Sequence, residues 1–246
     1  RSRPNLHLFT GAQVTRILLE RKRAVGVEFY QDGQVKQIKA AREVLLCAGA
    51  FQSPQILMLS GIGPHAHLVE NGVATVHDLP GVGQNLQDHP DVVLVVDAPQ
   101  AKDLFGLSVS GVFRAIQGIF EWRKYRSGML TTNFAEAGAF IKSQPQEPTP
   151  DLQLHFVVGK RVNHGRTATF GHGYSCHLSL LRPLSRGSVK LASKDPLAAP
   201  LIDPNFLGER DDMDRMIRGF KLMRGILSQP SFGGTLGKEQ AASAKA

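Results

Sequence analysis

One stretch of the chain, residues 43–63, constrains the fold more than any other. It reads EVLLCAGAFQSPQILMLSGIG. The run from Val44 to Cys47 is short and continuously apolar, which favours a strand buried on both faces. Three small residues follow, and Ser53 with Pro54 then predicts a helix start, because the hydroxyl caps a free N–H and the ring suits the first helical position. A strand, a tight turn and a helix N-terminus together predict a binding site for an anion or a phosphate.

The same stretch also has a plainer interpretation. An ordinary strand-to-helix crossover has this pattern and binds no ligand, and the residues alone leave both interpretations open. Two glycine-rich strings lie close by, GIGPHA from Gly61 and GVGQNL from Gly81. A dinucleotide fingerprint needs a strand before it and a helix after it. The first string follows a predicted helix and the second leads into Asp88, so neither is predicted to be a Rossmann signature.

Composition excludes several classes of function. The 246 residues suffice for one large domain or two modest ones. The net charge is +8, but the basic clusters are not interleaved with base-stacking aromatics, so nucleic-acid binding is not predicted. No segment approaches the ~20 apolar residues of an integral membrane span. Cys47 and Cys176 lie in apolar stretches and are predicted to be buried free thiols, with a disulfide left open, which favours the cytoplasm.

The pattern along the chain predicts strands first and a mixture of strands and helices later. The first part is predicted to be a β-meander, with a hairpin at Asp32 and Gly33. Further strands are predicted over residues 91–96, 152–158, 174–181 and 188–191.

Two further helices are predicted later in the chain. Residues 104–122 have helical spacing, and the basic residues that follow them suit either a membrane-surface helix or, as preferred, compensation of the helix dipole. Residues 211–227 form the clearest amphipathic helix. Its predicted core face consists of Met213, Met216, Ile217, Phe220, Met223 and Ile226.

Few residues suggest chemistry by themselves. The motifs GxSxG, Walker A and HExxH are absent, and His65 and His67 lack partners with metal-ligand spacing, so no metal site is predicted. Glu136 lies among small and apolar residues, and a carboxylate there needs a cation, a proton or a substrate. Pairing with an arginine is its plainer interpretation. His155, in LQLHFVV, is similarly interpreted first as a satisfied core histidine.

Four segments nevertheless resemble one known family when they are taken together and in order. They are EVLLCAGAFQSPQILMLSGIGP, LPGVGQNLQDHP, LLRPLSRGSVKLASKDP and PLIDPNF. These resemble segments of the glucose–methanol–choline (GMC) flavoprotein oxidoreductases, especially choline-dehydrogenase-like and alcohol-dehydrogenase-like members. The likeness runs from about residue 5 to residue 230, and several ordered motifs are far more specific than one glycine-rich string.

The resemblance implies a fold and an activity. The expected fold is α/β, α+β overall, with part of a Rossmann-type FAD-binding domain over residues 1–89. A substrate-binding domain with an antiparallel sheet flanked by helices is expected over 90–230, and a tail over 231–246. The implied reaction oxidises the CH–OH group of an alcohol, choline-like or another primary alcohol, to a carbonyl by hydride transfer to FAD. The electron acceptor is left undetermined, and peripheral membrane association is left open.

The resemblance also implies roles for five residues. Val14 is similar to a strand valine whose backbone meets the FAD adenine, and Ala48 and Gly49 are similar to a turn beside the cofactor. Glu136 and His155 are expected in the substrate pocket.

The family's GxGxxG would precede Arg1 and its catalytic histidine segment would follow the tail, so the chain is expected to be an internal piece of such an enzyme. None of its nine histidines is assigned as the base. Residues 1–246 alone are expected to hold no flavin and show no activity. The alternative is a catalytically inactive truncated paralogue or binding module that keeps the substrate-domain surface.

Overall fold

A computed structural model describes residues 3–102, 104–160, 170–235 and 237–240. It divides into two compact units. Arg1–Asp88 and Ser185–Phe206 form the first, and His89–Leu184 and Leu207–Ala246 form the second. The units therefore differ from the predicted continuous domains, because residues 185–206 return to the first unit. Of the predicted tail, residues 241–246 lie outside the described part.

In the described part of the chain, short strands outnumber helices. The strands, in chain order, are β1 (Gln13–Glu20), β2 (Arg23–Gln31), β3 (Gln34–Lys39), β4 (Ile62–Gly63), β5 (His77–Asp78), β6 (Gln84–Leu86), β7 (Asp91–Asp97), β8 (Gly106–Leu107), β9 (Ala135–Ile141), β10 (Leu152–Val157), β11 (Gly171–Leu180), β12 (Gly187–Lys190), β13 (Leu201–Asp203) and β14 (Lys238–Glu239). The α-helices are α1 (Gly49–Leu59), α2 (His65–Glu70), α3 (Val109–Tyr125) and α4 (Arg210–Leu227), with 3₁₀ turns at Met129–Thr131 and Pro230–Thr235.

The first unit contains two antiparallel sheets. Strands β1, β2 and β3 form the predicted meander, and the hairpin between β2 and β3 is confirmed by positive φ angles of 53° at Asp32 and 78° at Gly33. In the second sheet, β12 lies between β6 and β13, which is why the segment after Leu184 belongs to this unit. A small core lies beside α1, built from Met58, Leu68, Val82 and Leu191.

The stretch 43–63 differs from its prediction in two ways. Val44 to Cys47 has no regular secondary structure and forms no strand among the described residues, and Leu45 is 75% exposed. The run has the composition of a buried strand, but a strand needs a neighbour to share its hydrogen bonds. Cys47 is exposed, so its predicted burial is wrong, whereas Cys176 is buried as predicted. Helix α1 begins at Gly49, about one turn earlier than predicted, and Pro54 lies inside it.

The second unit is built on one antiparallel sheet, which confirms the sheet predicted for this part of the chain. Its strand order is β14, β7, β11, β10 and β9, with β8 beside β11. Alternation along β10 buries Leu152 and Leu154 and leaves Gln153 and His155 on the other face. The buried face carries the larger core of the chain, which includes Leu94, Leu178 and Leu180 from the sheet and Met216 and Met223 from α4.

Helix α4 confirms the predicted limits within one residue but presents a different face to the core. The residues it buries are Asp212, Arg215, Met216, Gly219, Met223 and Leu227. Met213, Ile217 and Ile226, predicted for the core face, are exposed. The buried face includes two charged residues near the first turn, Asp212 and Arg215, which are paired at 3.3 Å.

Helix α3 begins later than the predicted residue 104. Ser108 has extended backbone angles, and its hydroxyl accepts the N–H of Gly111 at 3.0 Å, which caps the helix. At the other end Arg126 adopts the left-handed conformation, with φ of 55°. In the described part of the chain, no helix is both long and apolar enough to cross a membrane.

Candidate functional site

The N-terminus of α1 leaves backbone donors without a side-chain cap. Ala48 occupies the capping position and makes no side-chain hydrogen bond. Gly49 has φ of +82°, and a Cβ placed on it would meet nothing within 4 Å. The first turn of the helix therefore combines unsatisfied N–H groups, a partial positive charge and open space in front of the backbone. These properties suit a negatively charged group of a ligand.

A groove of about 460 Å³ runs along the same helix within the first unit. Its walls come from α1, from the segment around β6 and from β12. They consist of Ala50, Ser53, Pro54, Leu57, residues 82–87 and Val189. Its volume lies in the range of small-molecule sites, and its lining is mostly small and apolar with a few amides.

Asn85 in this groove is a residue that the sequence reasoning missed. It has φ of +63°, although it is not a glycine, and it follows Gly83, whose φ is +76°. A Cβ on Gly83 would collide with the carbonyl oxygen of Val189, so the backbone there approaches β12 closely. Asparagine adopts the left-handed conformation more readily than most residues, so Asn85 is a candidate because it lines the groove beside this close backbone approach. The string GVGQN, which contains two glycines and an asparagine, was the available signal.

Val14 lies elsewhere in the first unit. It is half-buried on β1 and pairs with Phe29 of β2. The N–H of Ile17 on the same strand donates to the hydroxyl of Ser60 at 2.8 Å, and Ser60 caps the C-terminal end of α1. Within the described residues, the groove lining does not include Val14. Ala48 and Gly49 are not in that lining either, but they immediately precede Ala50, where the lining begins, whereas Val14 lies on a separate strand.

In the second unit, polar side chains share the face of the sheet opposite the core. His155 on β10 lies opposite His177 on β11 and Gly138 on β9. The ring Nδ1 of His177 is 2.7 Å from an Asp91 carboxylate oxygen, and the hydroxyl of Ser179 donates to the other oxygen at 3.2 Å. This arrangement orients His177 firmly and leaves the half-buried His155 beside it.

Glu136 is placed by an irregularity in β9. Phe156 pairs with Ala137 and Val157 pairs with Ala135, so Glu136 is an extra residue in a β-bulge. A bulge redirects a side chain out of the regular alternation. The carboxylate is exposed and lies two residues along β9 from Gly138, the partner of His155. The structure therefore brings the two predicted pocket residues, Glu136 and His155, to neighbouring positions on adjacent strands.

The shifted pKa values described for this unit belong to residues that stabilise the fold and not to the candidate site residues. Burial in the core raises the pKa of Cys176 to about 12, so its thiol is protonated and unreactive at neutral pH. Burial also raises the pKa of the Tyr174 hydroxyl. For Asp97, partial burial favours the acid form, but hydrogen bonds from Lys160, at 2.6 Å, and Gln240 outweigh it and lower the pKa.

The described ranges contain no group of three or more side chains arranged to hold a metal ion. His65 and His67, set aside as ligands from their spacing, have local partners. The ring of His65 is 3.0 Å from the hydroxyl of Thr75. His67 accepts the backbone N–H of Leu191 at 3.0 Å through Nε2, which ties α2 to the segment after β12.

Comparison with known proteins identifies both ends of the chain. Two family models, each described as GMC oxidoreductase, match residues 1–91 and 183–245. Together they cover more than half of the chain.

Two curated relatives extend the match across the middle. Alcohol dehydrogenase [acceptor] of Pseudomonas putida is 44% identical over 231 residues, which are 93% of this chain and 42% of that protein. Oxygen-dependent choline dehydrogenase 1 of Chromohalobacter salexigens is 38% identical over 239 residues, 97% of this chain and 42% of the relative. The chain therefore spans less than half the length of the relatives it matches.

Solved structures give the same result for the fold. A variant of formate oxidase from Aspergillus oryzae, studied for its FAD modification, superposes with a TM-score of 0.85 at 25% identity. The superposition covers 98% of this chain and 47% of that structure.

Proposed function

Since the chain belongs to the GMC oxidoreductase family, we propose that the protein takes part in the FAD-dependent oxidation of an alcohol CH–OH group to a carbonyl. The observation that carries the proposal is the uncapped start of α1 beside its groove. Gly49 leaves the backbone N–H groups of the first turn open to an anionic ligand.

The residues of the first unit fit one part of an extended dinucleotide. The backbone at Ala48 and Gly49 would contact an anionic or polar group, and Asn85 would contribute an amide from the opposite wall of the groove. Val14 would contact the cofactor by its backbone at a separate position on β1. When bound, FAD supplies the acceptor for the hydride that leaves the alcohol carbon.

The second unit would supply the wall of the substrate pocket. Glu136 lies at a bulge in β9, two residues from the partner of His155, and His155 pairs across β10 and β11 with His177, which contacts Asp91. Such a surface orients a small polar alcohol, and the exposed carboxylate favours one that carries a positive charge. A choline-like alcohol is the proposed substrate class, with neutral primary alcohols as the comparison.

The cofactor part is tested by the visible spectrum of the purified protein that carries this chain. We expect bound flavin, and we expect an alcohol to bleach its absorbance in the absence of oxygen. Gly49→Ala places a methyl group in front of the helix N-terminus and should lower the flavin content severalfold. Gly11→Ala is the matched control, because Gly11 also has a positive φ, +64°, and open space around it.

Two results would contradict this assignment. A protein without flavin, or with flavin that no alcohol bleaches, would favour the alternative of an inactive paralogue or binding module. Equal flavin loss in the Gly49 and Gly11 variants would show that α1 is not part of the cofactor site.

The substrate part is tested with Glu136→Gln, which keeps the shape of the side chain and removes its charge. We expect KM to rise about tenfold for choline and to change little for the neutral carbon isostere of choline. An equal rise for both alcohols would contradict a role in binding the cation.

A further inference from the structure

Helix α3 is oriented with its large apolar residues toward solvent. We define its outer apolar face by the exposed residues that recur at helical spacing, which are Val109, Val112, Phe113, Ile116, Ile119 and Phe120. Phe113 and Phe120 are 67% and 69% exposed. A helix on the surface of a globular protein normally buries such a stripe, whereas the apolar stripe of α3 faces solvent.

The inner side of α3 explains the orientation. From residue 111 to residue 118 it carries small residues, Gly111, Ala115 and Gly118, before Trp122 follows on the same side, and Gly118 is the one residue of the helix described as buried. A Cβ on Gly118 would lie 3.0 Å from the Cγ of Met129 and 3.3 Å from the Cγ of Leu130. Contact this close requires small residues on that side. The fold therefore fixes the helix with its large residues outward.

Basic residues continue the outer apolar face at its C-terminal end. Arg123 and Lys124 follow Phe120 by three and four residues, so they lie on the same side of the helix. Arg126 follows in the left-handed capping position, with its guanidinium 4.4 Å from the centre of the Trp122 ring. The one acidic residue of the helix, Glu121, accepts the hydroxyl of Ser127 at 3.3 Å.

We propose that the outer apolar face of α3 docks on an anionic membrane surface. Phenylalanine and aliphatic side chains would enter the boundary between headgroups and acyl chains, and Arg123, Lys124 and Arg126 would contact the anionic headgroups. The helix carries polar residues such as Arg114 and Gln117 and, in the described structure, is not long and apolar enough to span, so it would lie along the surface.

The positive charge of the chain favours a membrane surface, not a second copy of the chain, as the partner of this face. Basic residues border the apolar face, and the whole chain carries a net charge of +8, so two copies would bring like charges together. An anionic lipid surface instead attracts every basic residue near it. Compensation of the helix dipole, the interpretation preferred from the sequence, explains the basic residues. It does not explain the six exposed apolar residues beside them.

Flotation of the full chain with lipid vesicles tests the proposal. The probes are vesicles of phosphatidylcholine mixed with phosphatidylglycerol, and vesicles of phosphatidylcholine alone. We expect binding to the anionic vesicles that weakens with added salt, and little binding to the neutral ones. Analytical sedimentation without lipid gives the oligomeric state of the same sample.

Two sets of variants separate the apolar and the charged contributions. Phe113→Ser combined with Phe120→Ser should weaken vesicle binding at least about tenfold. Arg123→Gln, Lys124→Gln and Arg126→Gln should each weaken it about fivefold on anionic vesicles. Phe140→Ser is the matched control, because Phe140 is also an exposed phenylalanine of the second unit, at 64%, and should leave binding unchanged. Circular dichroism confirms that each variant is folded.

Three outcomes would overturn the proposal. The first is a folded protein that binds neither kind of vesicle. The second is equal binding to neutral and anionic vesicles with no effect of the charge variants. The third is a stable dimer that the two phenylalanine substitutions dissociate, which would assign the face to a second copy.

Discussion

In α4 the apolar residues face the sheet, whereas in α3 they face solvent, although both helices belong to the same unit. Met216, Met223 and Leu227 of α4 are buried in the large core. The outer apolar face of α3 is exposed over its whole length, and the helix packs closely where it has glycine, at Gly111 and Gly118. The two helices have similar lengths, 18 and 17 residues, so length does not account for the difference.

The comparison shows that two different kinds of contact hold these helices. Helix α4 is stabilised by burial of large side chains and by a buried ion cluster, in which Arg215 lies 3.3 Å from Asp212 and 2.7 Å from Asp211. Helix α3 is held at its start, where Ser108 is hydrogen-bonded to the ring of His172 at 2.7 Å and His172 is fixed by the carbonyl of Leu104, and at Gly118, which packs closely on Met129 and Leu130. These contacts leave its outer apolar face available.

The largest expected effect is on the ion cluster of α4. Arg215→Ala should destabilise the protein by about 3–5 kcal/mol, because it leaves the buried carboxylate of Asp212 without its cation. Urea unfolding gives the free energy. Arg210→Ala is the control on the same helix, since its pair with Asp214 is on the surface, and it should change stability by less than about 1 kcal/mol. Equal effects would show that burial does not distinguish the two pairs.

The second effect compares the two apolar faces directly. Met223→Ala removes a fully buried side chain from α4 and should cost about 2–5 kcal/mol. Phe120→Ala removes a larger but exposed side chain from α3 and should change stability by less than about 0.5 kcal/mol. The same unfolding measurement decides the comparison. A large loss in the Phe120 variant would mean that the outer apolar face is covered in the isolated protein.

Local patterns predicted the second unit well. The strands around Val93, Leu154 and Leu178 and the limits of α4 follow from short-range alternation and helical spacing, which act within a few residues. The faces were harder to predict. Sequence spacing places Met213 and Ile217 on the apolar stripe of α4, but the charge cluster at Arg215 rotates the buried face by one position. That cluster depends on long-range contacts.

The first unit shows where prediction from sequence ends. The run Val44 to Cys47 has the composition of a buried strand, yet strand formation depends on a neighbour that no local pattern specifies. The return of β12 to pair with β6 is likewise a long-range event.

In the candidate site, too, residue types could be recognised from the sequence, but their positions relative to one another depend on long-range contacts. Glu136 and His155 were singled out by residue type, but their adjacency depends on the register of β9 and β10 and on a bulge. Asn85 became a candidate only through its φ angle. The roles of Val14, Ala48, Gly49, Glu136 and His155 stay predictions.

The smallest expected effect concerns the cap that fixes the start of α3. Ser108→Ala removes the acceptor for the N–H of Gly111 and the partner of the buried His172 ring, so it should cost about 1–2 kcal/mol. Ser110→Ala is the matched control, because Ser110 is exposed and bonds only to the Ser108 hydroxyl among the described contacts, at 3.0 Å. Amide hydrogen exchange provides the second readout. Loss of the cap should speed exchange in the first turn of α3 and leave α4 protected. Faster exchange in both helices would mean that they unfold as one unit, and the difference in how they are held would then be confined to the folded state.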